Sequence, residues 1–236
     1  MPTKDSFTLK DVFRRERLTS LLTALTLLAA AYVVEHFANT YAFEYSLRST
    51  SNHVGDLILD NLPVVNLNFI IIEGALTAII FGTLFVVFLR PRYLLFTLKA
   101  IALFIMVRAL FISLTHVGIY PDHIVPGYGL FDGIYQYLNF ETGLFFSGHT
   151  GLPFLMALIF WQTPLARYFF LALSCIGGVA VLLAHIHYSI DVFAAPFMTY
   201  SIFRIALYLF PHDHALIEPV ADTALTALEE KQKRLD

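Results

Sequence analysis

Six apolar stretches occupy most of this chain, at Leu18–Phe37, Asn66–Leu89, Tyr93–His116, Gly148–Trp161, Pro164–His185 and Ile190–Phe210. A helix needs about 20 mostly apolar residues to cross the hydrocarbon core of a bilayer, because unpaired backbone polar groups are too costly to leave in lipid. The fourth stretch is short and reaches that length only if extended backward through Leu144–Ser147. Pro164 opens the fifth, where a helix's first turn does not miss its N–H. Charged residues make up 14% of the chain, against about 25% in a soluble domain. The expectation is an all-α, polytopic membrane protein with six transmembrane helices. Residues 1–17 form an N-terminal segment, 18–210 the membrane domain and 211–236 a C-terminal tail.

Composition removes several function classes. A net charge of -3 with no basic stripe leaves no footprint for nucleic acid. The single cysteine, Cys175, excludes an internal disulfide and any cysteine-based metal site. The first stretch follows basic residues and contains Ala29–Ala31, as a cleavable leader would, but it continues past the alanines and reads as a retained span. The preceding "TLKDVFRRERL" fits either an amphipathic helix on the membrane surface or a solvated cap.

Basic residues orient the spans. Lys4, Lys10, Arg14, Arg15 and Arg17 precede the first stretch. Arg90 and Arg92 lie between the second and third with Lys99 a little further in, Arg167 lies near the fourth-to-fifth turn, and Lys231, Lys233 and Arg234 lie in the tail. The alternate connections are nearly bare, with Arg48 in 38–65 and no Lys or Arg in 117–147. Both termini are therefore expected in the cytoplasm, and the compact form fits a bacterial inner membrane. His149 starts the fourth span, and His187 and Asp191 sit at the fifth-to-sixth turn. Counting spans brings all three to one extracytoplasmic rim.

Those residues suit phosphoryl chemistry. In "HYSID", His187 and Asp191 are four apart, on one face of a helix. A carboxylate there can take the Nδ1 proton and fix the imidazole tautomer. In "FSGHTG", His149 can supply a second imidazole as general acid, Ser147 and Thr150 add hydroxyls, and Gly148 and Gly151 let backbone come close. The N–H groups at the start of that span would favour an anion. One imidazole would attack phosphorus while the other protonates the leaving alkoxide.

Two charges lie deeper in apolar runs, Glu73 and Arg108. Counting from the span ends puts them at similar depth. Either they form an ion pair, or Arg108 binds the phosphate, whose geometry Arg matches with two parallel donors, while Glu73 orients it. "HIH" resembles a metal motif, but His185 and His187 would face different sides of a helix, so neither metal nor cofactor is expected. His36, His53, His116 and His123 also fall on the outer side. Tyr120, Tyr128, Phe131, Tyr135, Tyr137 and Phe140 would anchor the outer loop at the interface, or cover a lipid entrance.

"FSGHT" followed one hairpin later by "HYSIDV" resembles the type-2 phosphatidic acid phosphatase superfamily, and more closely its sphingomyelin synthase branch. "RALFISLT", Arg108 to Thr115, is similar to an arginine motif of that branch, and the similarity spans most of Tyr93–Tyr200. The chain departs from the phosphatase branch at Val181, where an arginine is usual, and from the synthase branch at Gly143, where an aspartate is usual. The resemblance implies His187 as nucleophile, Asp191 as its orienting carboxylate and His149 as acid–base partner. It implies transfer of phosphocholine or a related head group from a phospholipid to ceramide, releasing diacylglycerol. Phosphatase relatives use water as acceptor. A hydrolase is thus one alternative, and a non-enzymatic transporter whose path is lined by the polar rim residues is another.

Overall fold

The computed structural model describes residues 7–48, 53–114, 117–124 and 145–217. Among these there is no strand. A short helix α1 (Leu9–Val12) is followed by α2 (Arg15–Arg48), α3 (Ala75–Leu84), α4 (Leu94–Leu114), α5 (Gly148–Ile159), α6 (Pro164–Leu183), α7 (Ser189–Leu209) and a last turn of helix α8 (Pro211–His214). Helix α3 is flanked by wider π-helical turns at Phe69–Gly74 and Phe85–Leu89.

Five helices are long and apolar enough to cross a membrane, namely Arg15–Ala42, Phe69–Leu89, Pro91–Leu114, Pro164–Leu183 and Ser189–Leu209. Helix α5 is the exception. It has 12 residues, a rise of about 18 Å. The backward extension through residues 144–147 fails in its described part, because Phe145 and Phe146 are not helical and Ser147 is the N-cap. The first helix, by contrast, runs well past Phe37. The "TLKDVFRRERL" segment does not form one amphipathic helix: α1 ends at Phe13, and its buried Val12 joins Leu21 and Leu95 in a small apolar cluster. Lys4, the three basic residues of the tail, the side chain of Arg48, His116, and the aromatic residues from Tyr128 to Phe140 lie outside the described residues.

Contacts fix the direction of each helix. Ser20 meets Lys99, and further along Glu35 meets Arg108, so α2 and α4 run parallel. Ser147 bonds to Asp191, and Thr199 approaches Gly151, so α5 and α7 run parallel. Ser174 near the middle of α6 donates to the Thr150 carbonyl at 2.7 Å, while Phe170 earlier in α6 stacks on Phe160 beyond the end of α5, so α6 runs against them. One end of the bundle therefore gathers the starts of α5 and α7.

Glycines let the helices close on α5. A Cβ on Gly177 would lie 2.6 Å from the His149 carbonyl oxygen, and one on Gly151 would lie 2.9 Å from Phe104 and Thr199. At Gly177 the obstacle is backbone, and at Gly151 the Phe104 ring and the Thr199 hydroxyl would have to shift. A core of Phe96, Phe104, Phe146, Leu155, Phe160 and Phe170 fills the rest. The outer faces carry exposed Phe81, Phe88, Leu165, Tyr168, Phe197 and Tyr208, as expected of side chains that meet lipid.

Candidate active site

The site assembles where α5 and α7 begin. The Ser147 N–H donates to the backbone carbonyl of Asp191 at 3.0 Å, which ties the two sequence motifs together directly. Ser147 ends the loop with ψ near 120°, and Gly148 starts the helix. The first-turn N–H groups of a helix have no partner within it, so this turn points donors toward the rim.

His187 is 6% exposed and Asp191 3%. Their spacing places Nδ1 of His187 3.3 Å from Oδ2 of Asp191, and the same oxygen accepts the Tyr188 N–H at 3.0 Å. With a carboxylate as partner, Nδ1 carries the proton and Nε2 keeps its lone pair. The rings of His149 and His187 meet edge-on, with centroids 6.3 Å apart and planes inclined by 68°. The backbone of Ile71, in the first π-helical turn, is a hydrogen-bonding neighbour of His149.

Arg108 comes from α4. It is 4% exposed, its Nε donates to the Phe146 carbonyl at 3.0 Å, and it lies against the start of α5, where a Cβ on Gly148 would be 3.5 Å from Nε. A guanidinium thus sits along the helix start that carries His149. Its carboxylate partner is not Glu73. Arg108 Nη1 meets Glu35 Oε1 at 2.7 Å, and no ion pair joins Glu73 to Arg108 among the described residues. Glu73 is half-buried within the π-helical turn Phe69–Gly74, which shifts the facing of residues counted from Asn66.

The structure therefore brings together His149, His187, Asp191, Arg108, Ser147, Gly148 and Thr150, and among the described residues no ion pair joins Glu73 to them. Thr150 is buried, and its hydroxyl reaches Ser147 Oγ at 3.4 Å. His185 stands apart. It is 3% exposed, its backbone is left-handed at φ 55, and its ring packs edge-on against Tyr120. Glu35 is the residue that the span count missed. Its signal was a carboxylate in an apolar run, two residues before the expected helix end.

A cleft of about 280 Å³ opens on the loop side of α7, lined by Asp56, Val117, Phe145, Tyr188, Ser189 and Asp191 among others. Neither His149 nor His187 lines it. Of the His187–Asp191 pair, only Asp191 borders it.

Residues 142–209 match the family model described as PAP2 superfamily C-terminal. The match supports the PAP2 superfamily. Both histidine motifs fall within it, and Arg108 and Glu35 fall outside. No curated protein and no solved structure matches the chain. Proteins of that superfamily are phosphatases and phosphotransferases, so the match supports an enzyme of that broad type at a coarse level.

Proposed function

We propose that this chain is a lipid phosphotransferase that moves a phosphorylated head group, such as phosphocholine, from a phospholipid to ceramide or another lipid alcohol. The observation that carries the reading is the neighbouring pair of imidazoles, 6.3 Å between centroids, at a helix start that also holds a buried arginine. In this mechanism Nε2 of His187 attacks phosphorus, the bond from phosphorus to the diacylglycerol oxygen breaks, and His149 gives its proton to that oxygen. The acceptor hydroxyl then gives its proton to His149 and attacks phosphorus, and the bond to His187 breaks. Asp191 holds the His187 tautomer throughout. Arg108 and the N–H groups at the start of α5 take the phosphoryl oxygens, with Ser147 and Thr150 beside them. Such donors stabilise charge best when they are fixed before it develops.

The charge bias of the loops supports placing this rim at the extracytoplasmic leaflet. Phospholipids, ceramide and diacylglycerol would then reach the site from the bilayer.

The test is incubation of the purified protein with labelled ceramide and mixed phospholipids, read by mass spectrometry. Phospho-ceramide with matching diacylglycerol is expected from the wild type and from no sample of His187→Ala. His149→Ala should turn over about 10²–10⁴-fold more slowly. Release of phosphate or phospho-alcohol with ceramide untouched would overturn the transferase and leave a hydrolase using the same residues. Turnover that survives loss of both histidines would sink the mechanism.

A further inference from the structure

Asp56 lies in the segment between α2 and α3, far in sequence from either motif, and is 7% exposed. Its Oδ2 accepts the N–H of Ser189, the first residue of α7, at 2.6 Å. Its Oδ1 accepts the N–H groups of Ile58 and Leu59 at 2.9 and 3.2 Å. Burial opposes its charge, but the N–H groups of Ser189, Leu59 and Ile58 outweigh it and hold the carboxyl below the usual carboxylate range. A negative group at this place also suits the positive end of the helix dipole.

Tyr188, next to His187, is pinned by the same segment. Its hydroxyl donates to the Gly118 carbonyl at 2.8 Å and accepts the Val54 N–H at 3.3 Å. The consequence concerns Asp191. At the start of α7 the N–H groups of Tyr188 and Ser189 both need an acceptor, and two carboxylates are near. Asp191 takes Tyr188 and His187. Asp56 takes Ser189. Without Asp56, the Ser189 N–H would be orphaned two residues from Asp191, which is the acceptor best placed to swing onto it and away from the imidazole.

We propose that Asp56 is a positioning residue that keeps Asp191 on His187 by satisfying the start of α7 from the opposite loop. This rests on the reading of His187 as the nucleophile. Asp56 touches no reacting atom and acts through Ser189 and Asp191.

The experiment compares the full-length wild type with Asp56→Asn and Asp56→Ala in two assays. The first is hydrogen exchange over residues 186–193, which needs no turnover. Asp56→Ala should lose protection there, while Asp56→Asn, which keeps an oxygen acceptor, should retain most of it. The second is the labelled-ceramide assay. Asp56→Ala should lower kcat about 10- to 100-fold, the scale of a small misplacement of a reacting group, with KM little changed and most activity restored in Asp56→Asn. Unchanged exchange in Asp56→Ala would overturn the tether, and unchanged kcat would overturn the positioning role. A fall in apparent kcat that matches the lost fraction of folded protein, with no deficit per folded molecule, would also overturn it. If the wild type turns over none of the lipids, the proposed function is what fails, and the exchange result alone decides whether Asp56 holds the turn.

Discussion

Two buried cations link α2 to α4, and their surroundings differ. At one end, Lys99 donates to Asp213 at 2.6 Å and to Ser20 at 2.8 Å, and Ser20 in turn donates to Asp213 at 2.6 Å. The triangle is closed on itself, with the Phe210 ring 5.3 Å from the ammonium. At the other end, Arg108 holds Glu35 at 2.7 Å and also lies along the first turn of α5, beside His149. Both cations are over 90% buried. Burial of a charge in an apolar run therefore does not by itself mark a functional site. What separates the two is the chemistry each one faces. Lys99 faces only its partners, and it fastens the short helix that follows the last span. Arg108 lies along the helix start that carries His149, the place where the proposed mechanism puts the phosphoryl oxygens.

The sharpest way to break this contrast is to remove each pair in turn. Arg108→Leu leaves Glu35 buried without its counter-charge, and Lys99→Met leaves Asp213 with only the Ser20 hydroxyl. Each should cost about 3–5 kcal/mol of stability, visible as a large fall in thermal midpoint. Replacing both partners by apolar residues is often neutral or stabilising, so Lys99→Met/Asp213→Leu and Glu35→Leu/Arg108→Met should both recover much of the midpoint. Turnover should then divide them. The Lys99 double variant should transfer head groups at close to the wild-type rate, while the Arg108 double variant should lose at least about 100-fold, the scale of losing a fixed donor to developing charge. A folded Arg108 double variant with normal turnover would reduce both clusters to structural pins.

A smaller effect sharpens the comparison at the site end alone. Gly177→Ala places a Cβ 2.6 Å from the His149 carbonyl oxygen, a backbone atom that cannot swing aside. Helix α6 must back away from α5, which should cost about 1–3 kcal/mol and lower turnover by shifting His149 against His187. Gly74→Ala is the control, since its Cβ would meet the Phe69 carbonyl at an ordinary 3.7 Å. Equal midpoints for the two variants would show that α6 does not set the position of His149.

How much of this the sequence revealed follows from how far apart the partners lie. The two histidine motifs stood out because polar residues are rare in such runs, and alternation of spans was enough to bring them to one rim. Arg108 stood out for the same reason. Its partner was misread because depth was counted at a uniform rise, whereas the second apolar stretch begins with a π-helical turn that carries Glu73. Glu35 lies two residues before Phe37, where the first apolar stretch ends, and drew no notice there, yet α2 continues to Arg48. Lys99 read as one more basic residue near a connection, although it is buried in a triangle whose third member lies beyond the last span. Asp56 and Gly177 carry no local pattern at all. Their importance comes from Ser189 and His149, and only the folded chain says that they meet.

The smallest expected effect lies at the outer edge of the site end, where pH can be the probe. Tyr120 donates its phenol to Asp60, and its ring meets those of His185 and Tyr188 with centroids 5.2 and 6.0 Å away. The bond to that carboxylate pushes the Tyr120 phenol up to about 12. The neutral phenol is the form that makes the bond, so its contribution is complete below the ordinary tyrosine value of about 10. It is lost as pH rises through about 12. Tyr120→Phe keeps both ring contacts and removes only the bond. Ultraviolet titration of tyrosinate should therefore lack one late-ionising tyrosine in this variant, with turnover at neutral pH unchanged. If the missing tyrosine instead ionises at the ordinary value, the loop bond does not form in solution. If turnover at neutral pH falls with Tyr120→Phe, the phenol contributes to the site itself, and the proposed site would have to extend outward to Tyr120.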